Sequence, residues 1–204
     1  MSVQKLRNYF DVADVNDSSE SRYTGERGAM VLDVITSRQR KYETRVVGIV
    51  QEWSYTVPER TLAALSANLL PQKQFGLRDG ETESIQDAAN ALLRFGRDQG
   101  LSDEDGICLT WANAVEDFRF TPKLDPYLGS VSGIGIALFA YARKLSGADA
   151  IKPDVRVRQR LQNLGIQVPE GSQALMKFCE LLAEELAVTR SRFDTVLWAE
   201  PKSL

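Results

Sequence analysis

Apolar residues along this 204-residue chain recur mostly at steps of three and four, the spacing that lines one face of an α-helix. Tyr42, Val46, Ile49 or Val50, and Trp53 follow that rhythm within residues 26–53. Residues 46–50 are rich in β-branched side chains, which leaves a strand open there. Pro58 is placed to begin a helix carrying Leu62, Leu65, Leu69 and Leu70, with Pro71 as its end. Residues 72–80 read as a loop. Ser84 with Asp87 resembles a capping box ahead of the stripe Ile85, Ala88, Ala89, Leu92 and Phe95, which Gly96 and Gly100 close. Ser102 with Asp105 repeats the device before Ile107, Trp111, Val115 and Phe118. Residues 122–129 read as a connecting piece with room for one helical turn.

The last third is patterned more clearly. Ile134, Leu138, Tyr141 or Ala142, and Leu145 form a stripe after Gly133, ended by Gly147. Pro153 and Asp154 open a helix with Val157, Leu161 and Leu164 inward and Gly165 as its stop. Ser172 opens a longer one bearing Leu175, Phe178, Cys179, Leu182 and Leu186, and a short apolar segment closes at Trp198. The predicted fold is all-α, with about eight to ten short helices. Residues 1–25 read as an arm or loop, with an acidic, serine-rich run from Asp11 to Ser21, and residues 26–204 as a single domain.

Composition narrows the chemistry. The chain has no histidine, which removes Ser-His-Asp triads, Cys-His pairs and HExxH zinc sites. The two cysteines are too few for a four-thiolate cluster and read as small core residues of a protein in a reducing cytoplasm. Residues 1–20 hold no apolar signal core, and no stretch approaches a membrane span. Metal sites and cofactors are not expected. With a net charge of −3, any nucleic-acid surface has to be local. Residues 143–160 supply such a patch: six cations (Arg143, Lys144, Lys152, Arg156, Arg158, Arg160) against Asp149 and Asp154.

Two motifs meet in that patch. Ser132-Gly133-Ile134-Gly135-Ile136-Ala137 leads into an apolar helix, so that two glycines permit a tight turn and expose amides at a helix N-terminus. Downstream, Lys152-Pro153-Asp154 enters the Arg-rich helix. This order of glycine hairpin, apolar helix, short loop and Pro-Asp-led helix resembles the helix-hairpin-helix DNA glycosylase superfamily. That family's hairpin typically reads Pro-Gly-[Val/Ile]-Gly, matched here except at the proline. Its catalytic aspartate usually precedes Val-x-Arg, the place of Asp154 before Val157 and Arg158. The likeness covers residues 129–164 well and the tail loosely. It implies a compact all-α domain of that type, with the hairpin at about 122–147 and the catalytic-type helix at 153–164.

The resemblance implies a monofunctional glycosylase hydrolysing the N-glycosidic bond of a damaged or modified base in double-stranded DNA. Strand-cleaving members carry a Schiff-base lysine just after the hairpin, where this chain has Ala137. Many members carry a histidine two residues after the aspartate, where this chain has Arg156, and the cluster cysteines of one branch are missing. Asp154 is then the catalytic carboxylate, and Gly133, Ile134, Gly135, Lys152, Arg156 and Arg158 contact the DNA backbone. Two rivals compete with that reading. One is a non-catalytic DNA-binding module in which Asp154 only caps its helix and the arginines form a solvated face. The other is a nucleoside or modified-base hydrolase on the same scaffold. Trp53, Tyr55 and Trp111 read as core rather than as a base pocket.

Overall fold

The computed structural model describes residues 2–11, 13 and 22–199. The acidic run expected at 11–21 lies outside them except for Asp11 and Ala13. Every regular element among the described residues is helical, with no strand. Where a single domain is expected over 26–204, the chain groups into two compact units. One is residues 20–148. The other joins residues 1–19 to residues 149–204.

The larger unit is built around α2 (Arg27–Thr36), whose ten residues are all buried. It packs against α3 (Val47–Thr56), α4 (Leu62–Ala67), α6 (Glu81–Asp98), α7 (Glu104–Ala114) and α8 (Ile136–Leu145). Gly28 permits the closest approach, since a Cβ there would lie 2.2 Å from the Thr61 carbonyl oxygen. The β-branched residues 46–50 are helical. A π-type turn (Tyr42–Val46) runs into α3 and turns Val46, Ile49, Val50 and Trp53 inward.

Several helix ends differ from the sequence pattern for local reasons. α4 begins after Thr61, whose hydroxyl accepts the Ala64 N–H at 3.1 Å, and stops at Ala67. Leu69 is therefore 57% exposed rather than part of the apolar face. Residues 72–75 form a short helix, α5 (Gln72–Phe75), ended by Gly76 at φ 58°. α6 starts at Glu81, so Ser84 sits inside its first turn instead of capping it. Asp103, not Ser102, caps α7 by accepting the Gly106 N–H at 2.7 Å. Trp53 and Trp111 are core, whereas Tyr55 is 86% exposed.

Buried Asp33 ties this unit together. Its carboxylate accepts hydrogen bonds from the hydroxyls of Tyr23 (2.6 Å), Tyr42 (2.7 Å) and Tyr141 (3.0 Å) and from Arg22 (2.6 Å). The Arg22 guanidinium also lies over the rings of Tyr23 and Tyr42. Burial, and then the Asp33 charge, pushes the Tyr42 phenol up to about 12. The phenol's folded value thus lies above its unfolded value of about 10. Its contribution is fully present below pH ~10 and is lost as pH rises towards 12. The urea midpoint should fall across that window, and Tyr42→Phe should make the fall smaller. A midpoint that is flat to pH 11 would contradict this.

The smaller unit contains α1 (Ser2–Asp11), α9 (Val155–Asn163), α10 (Ser172–Leu186) and α11 (Arg190–Trp198). α1 corrects the arm expected over residues 1–25. Leu6 and Phe10, one turn apart, bury a stripe there, and Phe10 stacks on Phe193 at 5.2 Å. Val157, Leu161, Leu175, Cys179 and Leu197 complete the core. Cys108 in the larger unit and Cys179 here are fully buried, and burial pushes each thiol up to about 12. Neither should react with Ellman's reagent at pH 8 in the native protein, and both should react in denaturant. Rapid labelling of either thiol in the folded chain would contradict this.

Candidate functional site

Asp154 is the N-cap of α9, with extended backbone at φ −109° and ψ 178°. Buried Pro153 precedes it and fixes the entry of the chain. One carboxylate oxygen, Oδ1, accepts the Val157 N–H at 3.0 Å. The other, Oδ2, accepts the indole N–H of Trp198 at 2.9 Å. The carboxylate therefore sits at the positive end of α9, held at both oxygens and half-buried. The Arg156 guanidinium stacks over the Trp198 ring at 4.0 Å. Trp198 thus couples α11 to the aspartate and to the next cation. Its spacing in the chain marks it only as the end of an apolar segment.

The basic run around Asp154 is more committed than its composition implies. Lys152 is 7% exposed, and its backbone N–H donates to Asp194 Oδ1 at 2.9 Å. Arg158 donates to the Pro169 carbonyl at 2.7 Å and Arg160 to the Ala199 carbonyl at 3.0 Å. Arg143 is buried in the larger unit, where it bonds the Ala112 carbonyl at 2.9 Å and pairs with Glu116. These contacts fasten helices and loops.

The glycine hairpin belongs to the larger unit. Buried Asp125 builds its approach, accepting the N–H groups of Tyr127 (3.0 Å) and Gly129 (2.7 Å) and the Trp111 indole N–H (3.1 Å). Two 3₁₀ turns (Pro122–Leu124 and Leu128–Ser130) occupy the connecting piece where one helical turn is expected. Gly133 turns the chain at φ 81°, a conformation that favours glycine. Ile134 is buried and anchors the turn, while Gly135 is exposed with nothing within 4 Å of a would-be Cβ. α8 starts directly behind it with no side-chain cap, so its first-turn amides have no side-chain acceptor at the N-cap. Arg38 leans on the hairpin: its Nη1 lies 2.8 Å from where a Gly133 Cβ would stand.

The structure therefore groups Lys152, Asp154, Arg156 and Arg158 in one unit and Gly133, Ile134 and Gly135 in the other. Among the described residues, no group of acidic and cysteine side chains is arranged to hold a metal ion. No described helix is long and apolar enough to cross a membrane. No protein-family model matches the chain, and neither a curated protein nor a solved structure matches it.

Proposed function

We propose that this chain is a monofunctional DNA glycosylase-like protein of helix-hairpin-helix type, releasing a damaged or modified base from duplex DNA. The observation that carries the reading is the fixed Asp154 carboxylate at the head of α9, one helix and one loop after the Gly-Ile-Gly turn. In such a hydrolysis a water oxygen bonds to the anomeric carbon as the C–N bond breaks. The bonding pair leaves with the base, and the water proton ends on the base or in solvent. Positive charge develops on the sugar before the water bond is complete, and a close carboxylate stabilises it. An ionised carboxylate has about four acceptor positions. Val157 and Trp198 take two in this protein, which leaves acceptors to orient the water.

The uncapped amides behind Gly133, Ile134 and Gly135 suit a backbone phosphate. Arg156, stacked beside the aspartate, is the cation of the basic run best placed to approach DNA near it. Lys152 is buried and Arg158 donates to the Pro169 carbonyl, so both are left out of that role. One observation favours the rival binding module: Asp154 makes a complete helix cap whether or not it meets substrate.

Incubation with duplexes carrying single alkylated, deaminated or oxidised bases tests the reading. The expected product is free base with the strand intact until alkali is added, because Ala137 occupies the Schiff-base position. Strand cleavage without alkali, with a borohydride-trapped adduct, would overturn the monofunctional assignment. Tight DNA binding with no base released from any duplex would leave the binding module.

A further inference from the structure

The larger unit carries a cationic open surface of its own. It is a cleft of about 1130 Å³ between the π-type turn with the start of α3 and the α5 segment. Arg40, Lys41, Arg45, Lys73 and Arg78 line it, against the single carboxylate of Glu52. Arg40 is neutralised from behind by buried Glu81, which it meets at 2.7 Å through two nitrogens. Arg78 frames the wall, donating to the carbonyls of Arg38 and Gln39 at 2.8 and 2.9 Å. Lys41, Arg45 and Lys73 are exposed and have no ion-pair partner among the described residues.

Two features suit this surface to an anionic occupant. Lys41 and Arg45 are four residues apart on one turn, where the Arg45 N–H donates to the Lys41 carbonyl at 3.1 Å. Both line the cleft and are exposed, so one anion there can meet the two together. The cleft is also larger than most small-molecule pockets, and its five cations stand beside only two apolar side chains, Ile49 and Phe75. That character fits an extended polyanion. Its wall is continuous with the hairpin, because Arg38, whose carbonyl Arg78 holds, packs its guanidinium against Gly133.

We propose that this cleft carries the phosphodiester backbone of the nucleic-acid strand beyond the point gripped by the hairpin amides, with Lys41, Arg45 and Lys73 as the phosphate contacts. The inference rests on the DNA reading above and extends it to a surface that the sequence pattern did not reveal. Contacts of this kind release counterions, so each lost phosphate contact lowers the slope of log affinity against log salt by about 0.9.

Fluorescence anisotropy of a labelled 20-base-pair duplex, across a salt titration, tests it on the full chain. The triple variant Lys41→Glu/Arg45→Glu/Lys73→Glu should bind at least tenfold more weakly at low salt. Its salt slope should be shallower by about two to three. The milder triple change to glutamine should fall between it and the wild type, with an unchanged melting curve as the check on folding. Wild-type affinity and slope in both triple variants, alongside weakened binding by a Gly135→Asp hairpin variant, would overturn the cleft while leaving the DNA reading in place. No duplex binding by the wild-type chain would overturn both. Duplex binding that free pyrophosphate abolishes at equal phosphate concentration would identify a small-anion site and also overturn the proposal.

Discussion

Asp154→Asn should lower single-turnover base release by at least roughly a hundredfold, the scale seen when one preorganised electrostatic group is lost from a reacting centre. The substitution removes the negative charge that the proposed reaction sets against the developing sugar cation, while keeping size and shape. Its fold cost should be small and is fixed by two contacts. The asparagine oxygen still accepts the Val157 N–H, but its amide nitrogen cannot accept the Trp198 indole N–H. About 1 kcal/mol of stability should go with that second bond. Trp198→Phe separates the two effects. It leaves the charge, frees one carboxylate oxygen and removes the indole N–H, so it should slow base release less than Asp154→Asn does. Trp198 acts through Asp154 and is a positioning residue, so rescue by nearby charge is not expected. Equal activity of Asp154→Asn and wild type, with the expected small loss of stability, would reduce Asp154 to a helix cap.

Asp33→Leu should be strongly destabilising, at about 2–5 kcal/mol. The carboxylate is fully buried and is the shared acceptor for Tyr23, Tyr42, Tyr141 and Arg22. Removing it strands the hydroxyls of buried Tyr23 and Tyr141 without that acceptor, and each such loss costs about 1–3 kcal/mol. Arg22 adds little to the total, because its side chain is 51% exposed and can turn to water. Folded domains hold only about 5–15 kcal/mol in all, so the variant should show a large drop in urea midpoint by circular dichroism. A loss below about 1 kcal/mol would mean that the phenols repair the network among themselves.

Much of the helical framework is legible in the residues, because it rests on local chemistry. The stripe from Ile85 to Phe95 is buried as its spacing implies, and so are Ile134, Leu138 and Leu145. Gly133, Gly147 and Gly165 turn the chain at positive φ, and Asp154 caps α9. Helix ends are less legible wherever two candidate caps compete, as at Ser102 and Asp103. Only one side chain reaches the free amide, and spacing alone does not choose it.

Partnerships across long separations are illegible for a different reason. Nothing local in Arg22, Asp33, Tyr42 and Tyr141 signals that they converge. The same holds for Trp198 and Asp154, 44 residues apart. The charge count around Asp154 misleads because cations do not announce their partners. Arg158 and Arg160 end on backbone carbonyls, whereas Lys41, Arg45 and Lys73, spread along the chain, share one cleft.

The role proposed for the Asp154 carboxylate is to meet a sugar cation in DNA. Its most direct test is the affinity of the full chain for a labelled duplex holding one cationic abasic-site analogue, beside the undamaged duplex, at two salt concentrations. Tighter binding to the analogue is expected, with a preference that survives added salt better than overall affinity does and that is lost in Asp154→Asn. Equal, salt-sensitive binding of both duplexes by wild type and variant alike would contradict it in favour of a plain binding module. Failure to bind either duplex at low salt would contradict both DNA readings and direct attention to free nucleosides.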